Sequence, residues 1–201
     1  MVLQRHFGTQ RSGFYVEVGS HDPHRFSNTY LFYRRGWRGI CIDALPGSAK
    51  AFRLFRPRDT AVEIGVARLP GSLSYYMFNE PALNTFDPAL VESRTCLPQY
   101  RLAEVRQIAT KPLAQILDEH MPGPIEIDFM SVDVEGLDLE VLQSNDWKRF
   151  RPKVVVAECL SFDLLSVAAE PLPRFLMQID YRFHAKTGNS VIFVDAGDRR
   201  A

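Results

Sequence analysis

Short apolar runs rich in β-branched and aromatic residues alternate along this chain with segments of helical periodicity. Strands are predicted at residues 14–18, 39–44, 61–66, 125–134 and 154–159. Helical segments are predicted after Ser27, Pro46, Pro112, Leu137 and Leu164. This alternation is typical of a parallel sheet that is covered by helices on both faces. We therefore predict an α/β fold.

Two segments depart from the alternation. Residues 72–105 are rich in aromatic residues, proline and asparagine, which predicts an insertion with its own short strand, facing the substrate at about 79–100 as a lid. Near the C-terminus, strand-like runs flank Thr187, Gly188 and Asn189, a pattern typical of a hairpin. We expect this hairpin to give the sheet an antiparallel edge, and residues 1–201 to form a single domain.

Charge and composition exclude several classes of protein. The 24 basic residues balance 24 acidic ones, so the chain has no net charge to attract nucleic acid. The N-terminus lacks the apolar core of a signal peptide, and no apolar run approaches the roughly 18 residues that span a bilayer, so we expect a cytoplasmic protein without a membrane partner. Cys41, Cys96 and Cys159 are odd in number and far apart, which predicts reduced packing residues.

The ends of the first two predicted strands carry the pattern of an adenosine site. Glu17 and Gly19 end the first strand, where open α/β sheets bind ligands. Asp43 ends the second strand, and 43 minus 19 places it 24 residues after the glycine, close to the offset at which an acid binds a ribose diol. The loop after Gly19 lacks a Gly-x-Gly-x-x-Gly turn and contains the acidic Asp22, which disfavours a pyrophosphate. A phosphate-free, cationic adenosine ligand fits this loop better.

Three segments resemble the successive motifs of the FkbM-type S-adenosylmethionine-dependent methyltransferases. They are "GFYVEVGSHDPHRFSNTYLFYRRGWRGICIDALP", "FMSVDVEGLDLEVLQ" and "PKVVVAEC", and the likeness covers about residues 13–159. The resemblance implies the Rossmann-like class I methyltransferase fold, a three-layer sandwich around a mostly parallel seven-stranded sheet with a C-terminal antiparallel hairpin. It also implies S-adenosylmethionine as cofactor, and an acceptor that is a sugar or another small hydroxylated natural product, methylated on oxygen.

Seven residues are predicted to bind the cofactor. Several of these residues also have a structural interpretation. Glu17 could face polar loops, and Asp43 could cap the helix after Pro46. Asn28 and Thr29 could form the first turn of a helix capped by Ser27. The set is Glu17, Gly19, Ser20, Asn28, Thr29, Asp43 and Ala44.

Asp133, Glu135, Glu158 and His21 are the predicted catalytic residues, because methyl transfer to a hydroxyl requires a group that takes up a proton. Asp133 ends a buried predicted strand and is the first choice for the base. Glu135 could instead be an acid favoured by a helix N-terminus, Glu158 could pair with an arginine, and His21 could be a solvated loop residue. No metal site is predicted, but Mg²⁺ held by Asp133 and Glu158 is an alternative.

Three other functions stay open from the sequence. A metal-assisted O-methyltransferase would lose activity with a chelator. A non-catalytic module that binds an adenosine ligand would keep cofactor affinity without turnover. An NAD-dependent oxidoreductase is disfavoured by the single glycine of the first loop.

Overall fold

A computed structural model of the protein describes residues 2–160 and 167–198. Within these ranges, every helix is too short or too polar to cross a lipid bilayer. The strands are β1 (Phe14–Val18), β2 (Arg38–Asp43), β3 (Thr60–Glu63), β4 (Gly65–Val66), β5 (Gly71–Phe78), β6 (Leu102–Lys111), β7 (Phe129–Val132), β8 (Val154–Glu158), β9 (Tyr181–Thr187) and β10 (Ser190–Asp195). The helices are α1 (Val2–Phe7), α2 (Tyr30–Arg34), α3 (Ser48–Phe55), α4 (Pro88–Thr95), α5 (Leu113–His120), α6 (Asp138–Gln143) and α7 (Pro171–Gln178), with a 3₁₀ turn at Pro81–Leu83.

Seven strands form the main sheet in the order β3-β2-β1-β7-β8-β10-β9. β3, β2, β1, β7 and β8 pair in parallel, whereas β10 is antiparallel to both of its neighbours. Gly188 has a positive φ of 50° in the turn between β9 and β10. The predicted mostly parallel sheet with a C-terminal antiparallel hairpin is therefore confirmed, and the architecture is Rossmann-like.

Helices cover both faces of the sheet, which makes the fold a three-layer sandwich. All five residues of β1 are buried, because each face of this central strand meets a different apolar layer. Phe14, Val16 and Val18 pack in the cluster that contains residues of α5, α6 and α7. Tyr15 packs in the cluster that contains residues of α1, α2 and α3. Alternate β1 side chains therefore serve opposite layers.

Two predicted strands have different bounds in the structure. The single strand predicted at 61–66 is wrong, because the chain leaves the main sheet at Ile64, whose N–H donates to the Asp43 carbonyl, and β4 joins a second sheet. The strand predicted at 125–134 is limited to β7, since β1 and β8 pair with it only between Phe129 and Val132. The helix predicted after Leu164 begins on residues that lie outside the described ones; the next described helix, α7, starts at Pro171.

Residues 71–111, here called the insert, form most of the second sheet. β5 and β6 pair antiparallel, β4 adds a parallel strand, and the 3₁₀ turn and α4 lie between β5 and β6. The expectation of one short strand here was wrong, because β5 has 8 residues and β6 has 10. The insert meets the main sheet at the carboxyl ends of its parallel strands, where its residues and those of the main sheet line one cavity.

Candidate active site

A cavity of about 350 Å³ lies at the carboxyl ends of β1, β2, β7 and β8, beneath the insert. This is the edge at which open α/β sheets bind ligands. Among the described residues that line it, four are acidic and none is lysine or arginine. The structure brings together in this cavity the predicted residues Gly19, His21, Asp43, Ala44, Asp133, Glu135 and Glu158.

Gly19 brings the loop after β1 against the end of β7. Its φ is +77°, and a Cβ at this position would lie 1.7 Å from the carbonyl oxygen of Asp133, so no other residue fits. Ser20 follows with its N–H bonded to the Ile42 carbonyl and with its side chain 2 % exposed. The Ser20 hydroxyl has no hydrogen-bond partner among the described residues. Ser20 itself lies outside the cavity lining, so the structure does not bring this predicted cofactor residue into the cavity with Gly19 and His21.

Asp43 lies in the wall of the cavity and also holds the first loop. Its carboxylate accepts hydrogen bonds from the N–H groups of His21, at 2.5 Å, and Leu45, at 2.7 Å. Burial raises the pKa of Asp43 above its ordinary value, and these two bonds oppose that effect. Each oxygen accepts one backbone bond and keeps a second lone-pair direction, so the carboxylate can also accept from a ribose hydroxyl.

Three carboxylates of the cavity form an acidic cluster. One oxygen of each of Asp133, Glu135 and Glu158 lies within 4.8 Å of the other two. Burial, followed by the charges of Asp133 and Glu135, raises the pKa of Glu158 to about 8. Burial also raises the pKa of Asp138, which begins α6 behind the cluster, to about 7. Three oxygen ligands at this spacing could hold a proton between them or a hard divalent cation.

Glu135 is held by the insert rather than by a helix N-terminus. Its carboxylate pairs with Arg94 of α4, and its carbonyl accepts from the Thr85 hydroxyl at 2.7 Å. Its φ of 57° is in the left-handed region, which is strained for a residue with a side chain. α6 begins only at Asp138, so the helix-terminal interpretation of Glu135 does not describe this structure.

Residues 17–183 match the family model of the FkbM methyltransferase domain. The chain belongs to the FkbM methyltransferase family. It is therefore a methyltransferase, and the cavity at the carboxyl ends of its parallel strands is its candidate active site. No curated protein gives a significant match to the chain.

Glu17 of this FkbM methyltransferase does not line the cavity. It follows Tyr15 by two residues and therefore faces the same layer of helices, where it is 3 % exposed. Its carboxylate accepts from the Asn28 N–H at 2.9 Å and from the Thr29 hydroxyl at 2.5 Å, and it lies 3.8 Å from the buried Arg56 guanidinium. Glu17 thus holds the residues that precede α2 in place.

Asn28 and Thr29 also lie outside the cavity lining. Asn28 donates from Nδ2 to the Ser131 hydroxyl at 3.0 Å, and Thr29 is fully buried. The hydroxyl of Ser27 accepts from the N–H groups of Thr29 and Tyr30, at 3.2 and 3.1 Å. These contacts support the interpretation of Ser27 as the cap of α2.

The rim of the FkbM methyltransferase cavity includes groups that the sequence analysis missed. Arg25 and Glu80 form a two-bond ion pair, at 3.1 and 3.0 Å, which joins the first loop to the insert. Phe26, beside this pair, lines the cavity while 70 % exposed. Tyr75 and Asn84 enter from the insert. Arg25 and Phe26 lie within the first family-like segment, whereas only the unusual composition of the insert signals that Tyr75, Glu80 and Asn84 are near a ligand.

Proposed function

We propose that this FkbM methyltransferase uses S-adenosylmethionine to methylate an oxygen of a small hydroxylated acceptor, a sugar or another natural product. The observation that carries the proposal is a single cavity that holds Asp43 together with the cluster of Asp133, Glu135 and Glu158. Asp43 is suited to a ribose diol, and the cluster is suited to proton uptake. The family resemblance supports the acceptor class.

The residues of the cavity fit the proposed cofactor. Asp43 and Ala44 would hold the ribose, and the backbone at Gly19 would meet the amino-acid part. The acidic lining, without lysine or arginine among the described residues, favours a cationic sulfonium over the pyrophosphate of a dinucleotide. When bound, S-adenosylmethionine supplies a methyl group that a nucleophilic oxygen can accept.

In this proposal Asp133 receives the proton that the acceptor hydroxyl loses. Its backbone is fixed at the end of β7, where its N–H donates to the Val18 carbonyl at 3.0 Å. Burial raises the pKa of Asp133, and the nearby His21 opposes this effect. Burial and the charges of Asp133 and Glu135 raise the pKa of Glu158 to about 8, which favours a proton within the cluster near neutral pH and relieves the repulsion among its carboxylates.

Metal-assisted O-methylation is the second candidate. The separation of no more than 4.8 Å between the carboxylate oxygens of Asp133, Glu135 and Glu158 favours it, because Mg²⁺ binds oxygen ligands and lowers the pKa of a bound hydroxyl. In both mechanisms the negative charge of Asp133 is required. The two mechanisms differ in their sensitivity to a chelator.

Calorimetric titration with S-adenosylhomocysteine and with NAD tests the cofactor. We expect S-adenosylhomocysteine to bind and NAD to give no measurable heat, because the described lining of the cavity offers no basic side chain for a phosphate and presents four carboxylates. Tighter binding of NAD would overturn the proposal. Transfer of a labelled methyl group to a panel of sugars and phenols then tests the acceptor, and binding without transfer to any acceptor would instead indicate a non-catalytic module.

A further inference from the structure

Asn84 of the insert is a buried polar residue whose hydrogen bonds are only partly satisfied. Its side chain is 6 % exposed and lies in the wall of the cavity. Oδ1 accepts from the Phe78 N–H at 2.8 Å, which fixes the orientation of the amide. Nδ2 has no hydrogen-bond partner among the described residues. A donor buried in this way is costly unless something else satisfies it.

The surroundings of Asn84 are apolar and narrow. Leu83 precedes it in the chain and Phe86 follows two residues after it, and Ile64 and Val66 line the same cavity at the start of β4. Phe86 packs so closely on Gly65 that a Cβ there would lie 2.7 Å from the ring. An apolar wall with one fixed donor suits a flat heteroaromatic ring that carries an acceptor nitrogen.

Tyr75 relates Asn84 to the adenosine half of the cavity. Tyr75 packs against Phe86 with ring centroids 4.6 Å apart, and Phe86 packs on Gly65, whose neighbour Ile64 donates its N–H to the Asp43 carbonyl. A hydrogen bond from the Asn84 amide would lower the pKa of the Tyr75 hydroxyl, so this hydroxyl is the protein group that competes with a ligand for Nδ2. The apolar wall beside Asn84 therefore extends to the end of β2 that carries Asp43, whereas the chain neighbours of Asn84, Leu83 and Thr85, contact Arg94 and Glu135.

We propose that Asn84 Nδ2 donates a hydrogen bond to a ring nitrogen of the adenine of the bound cofactor, so that the insert takes part in cofactor recognition. The inference rests on the proposed function, because it takes the ligand to be an adenosine derivative. It gives the insert a role in binding the cofactor, whereas the sequence predicts only a segment that faces the substrate.

Asn84→Asp is the sharpest variant, because an aspartate keeps an oxygen for the Phe78 N–H and removes the donor, and the carboxyl group that it adds is matched by the control Asn145→Asp. Calorimetry would compare wild type and variant with S-adenosylhomocysteine, adenosine, and adenosines in which carbon replaces N1, N3 or N7 in turn. We expect the variant to bind S-adenosylhomocysteine and adenosine roughly three- to tenfold more weakly, the scale of one lost hydrogen bond. Wild type should bind one of the three deaza compounds more weakly than adenosine by a similar factor. The variant should bind that compound and adenosine with equal affinity.

Asn145→Asp is the matched control. Asn145 is 9 % exposed, donates from Nδ2 to the Phe150 carbonyl and also has one unpartnered amide atom, but it lies outside the cavity lining. This control should lower the melting temperature without changing either affinity. The melting temperature of Tyr75→Phe without ligand tests whether the hydroxyl of Tyr75 accepts the hydrogen bond of Asn84 Nδ2.

Four results would overturn the assignment. The first is unchanged affinity in Asn84→Asp. The second is equal wild-type affinity for all three deaza compounds and adenosine. The third is an equal drop in the melting temperatures of Asn84→Asp and Tyr75→Phe with no change in binding, which would make Nδ2 a structural donor. The fourth, wild type that binds no adenosine compound, would also remove the proposed function, whereas the first three leave it standing.

Discussion

The guanidinium of Arg94 forms an ion pair with the carboxylate of Glu135 and also donates to the Leu83 carbonyl. Through these contacts, α4 of the insert supplies a positive charge to the cluster formed by Asp133, Glu135 and Glu158. The charge of Arg94 lowers the pKa of both Glu135 and Glu158, against the larger effect of burial. The insert therefore tunes the acidity of the candidate active site as well as covering it.

Arg94→Met is expected to move the alkaline limb of the pH–rate profile to higher pH by roughly one unit, because Glu135 and Glu158 lose the charge that favours their ionised forms and the cluster keeps its proton to higher pH. Arg94→Lys keeps the charge and should move the profile less. Arg106→Met is the matched control, since Arg106 also lies on the insert but forms an exposed pair with Glu104. An identical profile in Arg94→Met and wild type would show that the pair only anchors the insert.

Asp43→Ala is expected to weaken binding of S-adenosylhomocysteine by about 1.5–3 kcal/mol, the scale of a charge-assisted hydrogen bond. The loss combines the ribose contact with the bonds to the N–H groups of His21 and Leu45. Asp43→Asn, which keeps one acceptor oxygen, should lose less. Glu63→Gln is the control, because Glu63 ends the adjacent β3 and accepts from the Gly47 N–H but does not line the cavity. Unchanged affinity in Asp43→Ala would remove this residue from the site.

The main sheet could be predicted from sequence because its strands are local apolar runs. β1 has the predicted bounds, since five apolar or buried residues lie between Gly13 and Gly19. Strand ends also predicted the acids that line the cavity, because the carboxyl ends of parallel strands meet at one edge. Asp43, Asp133 and Glu158 illustrate this rule, which depends on position along a strand and not on contacts across the fold.

The contacts of the insert could not be predicted in this way. Arg94 meets Glu135 and Thr85 meets the Glu135 carbonyl across long stretches of chain, and no periodicity in the sequence indicates such pairs.

Glu17 shows a different limit of prediction from sequence. Its place near the end of β1 predicted a ligand role, whereas the two-residue period of a strand places it on the face of Tyr15, in the buried network of Arg56.

Glu17→Gln is expected to lower the free energy of unfolding by about 1–3 kcal/mol, because Arg56 loses part of its charge compensation in a buried site. Arg56 keeps its contact with Asp59 at 2.7 Å, which limits the loss. Urea unfolding measures this change, and calorimetry on the folded variant measures its affinity for S-adenosylhomocysteine. Thr29→Val, in the same network, should behave alike. A large loss of affinity with little loss of stability would instead support the ligand role that the strand end predicts.

Glu158→Gln is expected to melt at a higher temperature than wild type at pH 9, with a difference that disappears by about pH 5. The pKa of Glu158 is raised from 4.5 to about 8, so the folded state binds more protons than the unfolded state between these values and loses stability as the pH rises. Solvent reaches part of this carboxyl and reduces the effect. Glu92→Gln, on an exposed face of α4, is the control.

The same melting experiment separates a proton from a cation in the acidic cluster. Without added metal, the pH dependence of wild type should exceed that of Glu158→Gln. If magnesium chloride raises the melting temperature of wild type at pH 9 and leaves Glu158→Gln unchanged, the cluster of Asp133, Glu135 and Glu158 binds the cation. Equal curves for wild type and variant at every pH would contradict the raised pKa.

Asp133→Asn is expected to bind S-adenosylmethionine within about twofold of wild type and to transfer the methyl group a hundredfold or more slowly, the scale of a lost general base. The backbone of Asp133 is held by the Val18 carbonyl and by its close approach to Gly19, so the variant should fold normally. Asparagine preserves the size of the side chain and removes its charge, which both the proton-accepting role and the metal-binding role need. Asp118→Asn, in an exposed pair with Arg149, is the control.

Single-turnover transfer, with each protein saturated by cofactor and acceptor and repeated with EDTA, distinguishes the two roles of Asp133. We expect wild type to keep its rate in the chelator, because Glu158 with a pKa near 8 already supplies a proton that relieves the repulsion within the cluster. Loss of the wild-type rate in EDTA would favour the metal route. Transfer by Asp133→Asn at the wild-type rate would make this residue structural, and Glu135, Glu158 and His21 would then be tested as the base, since all three line the same cavity.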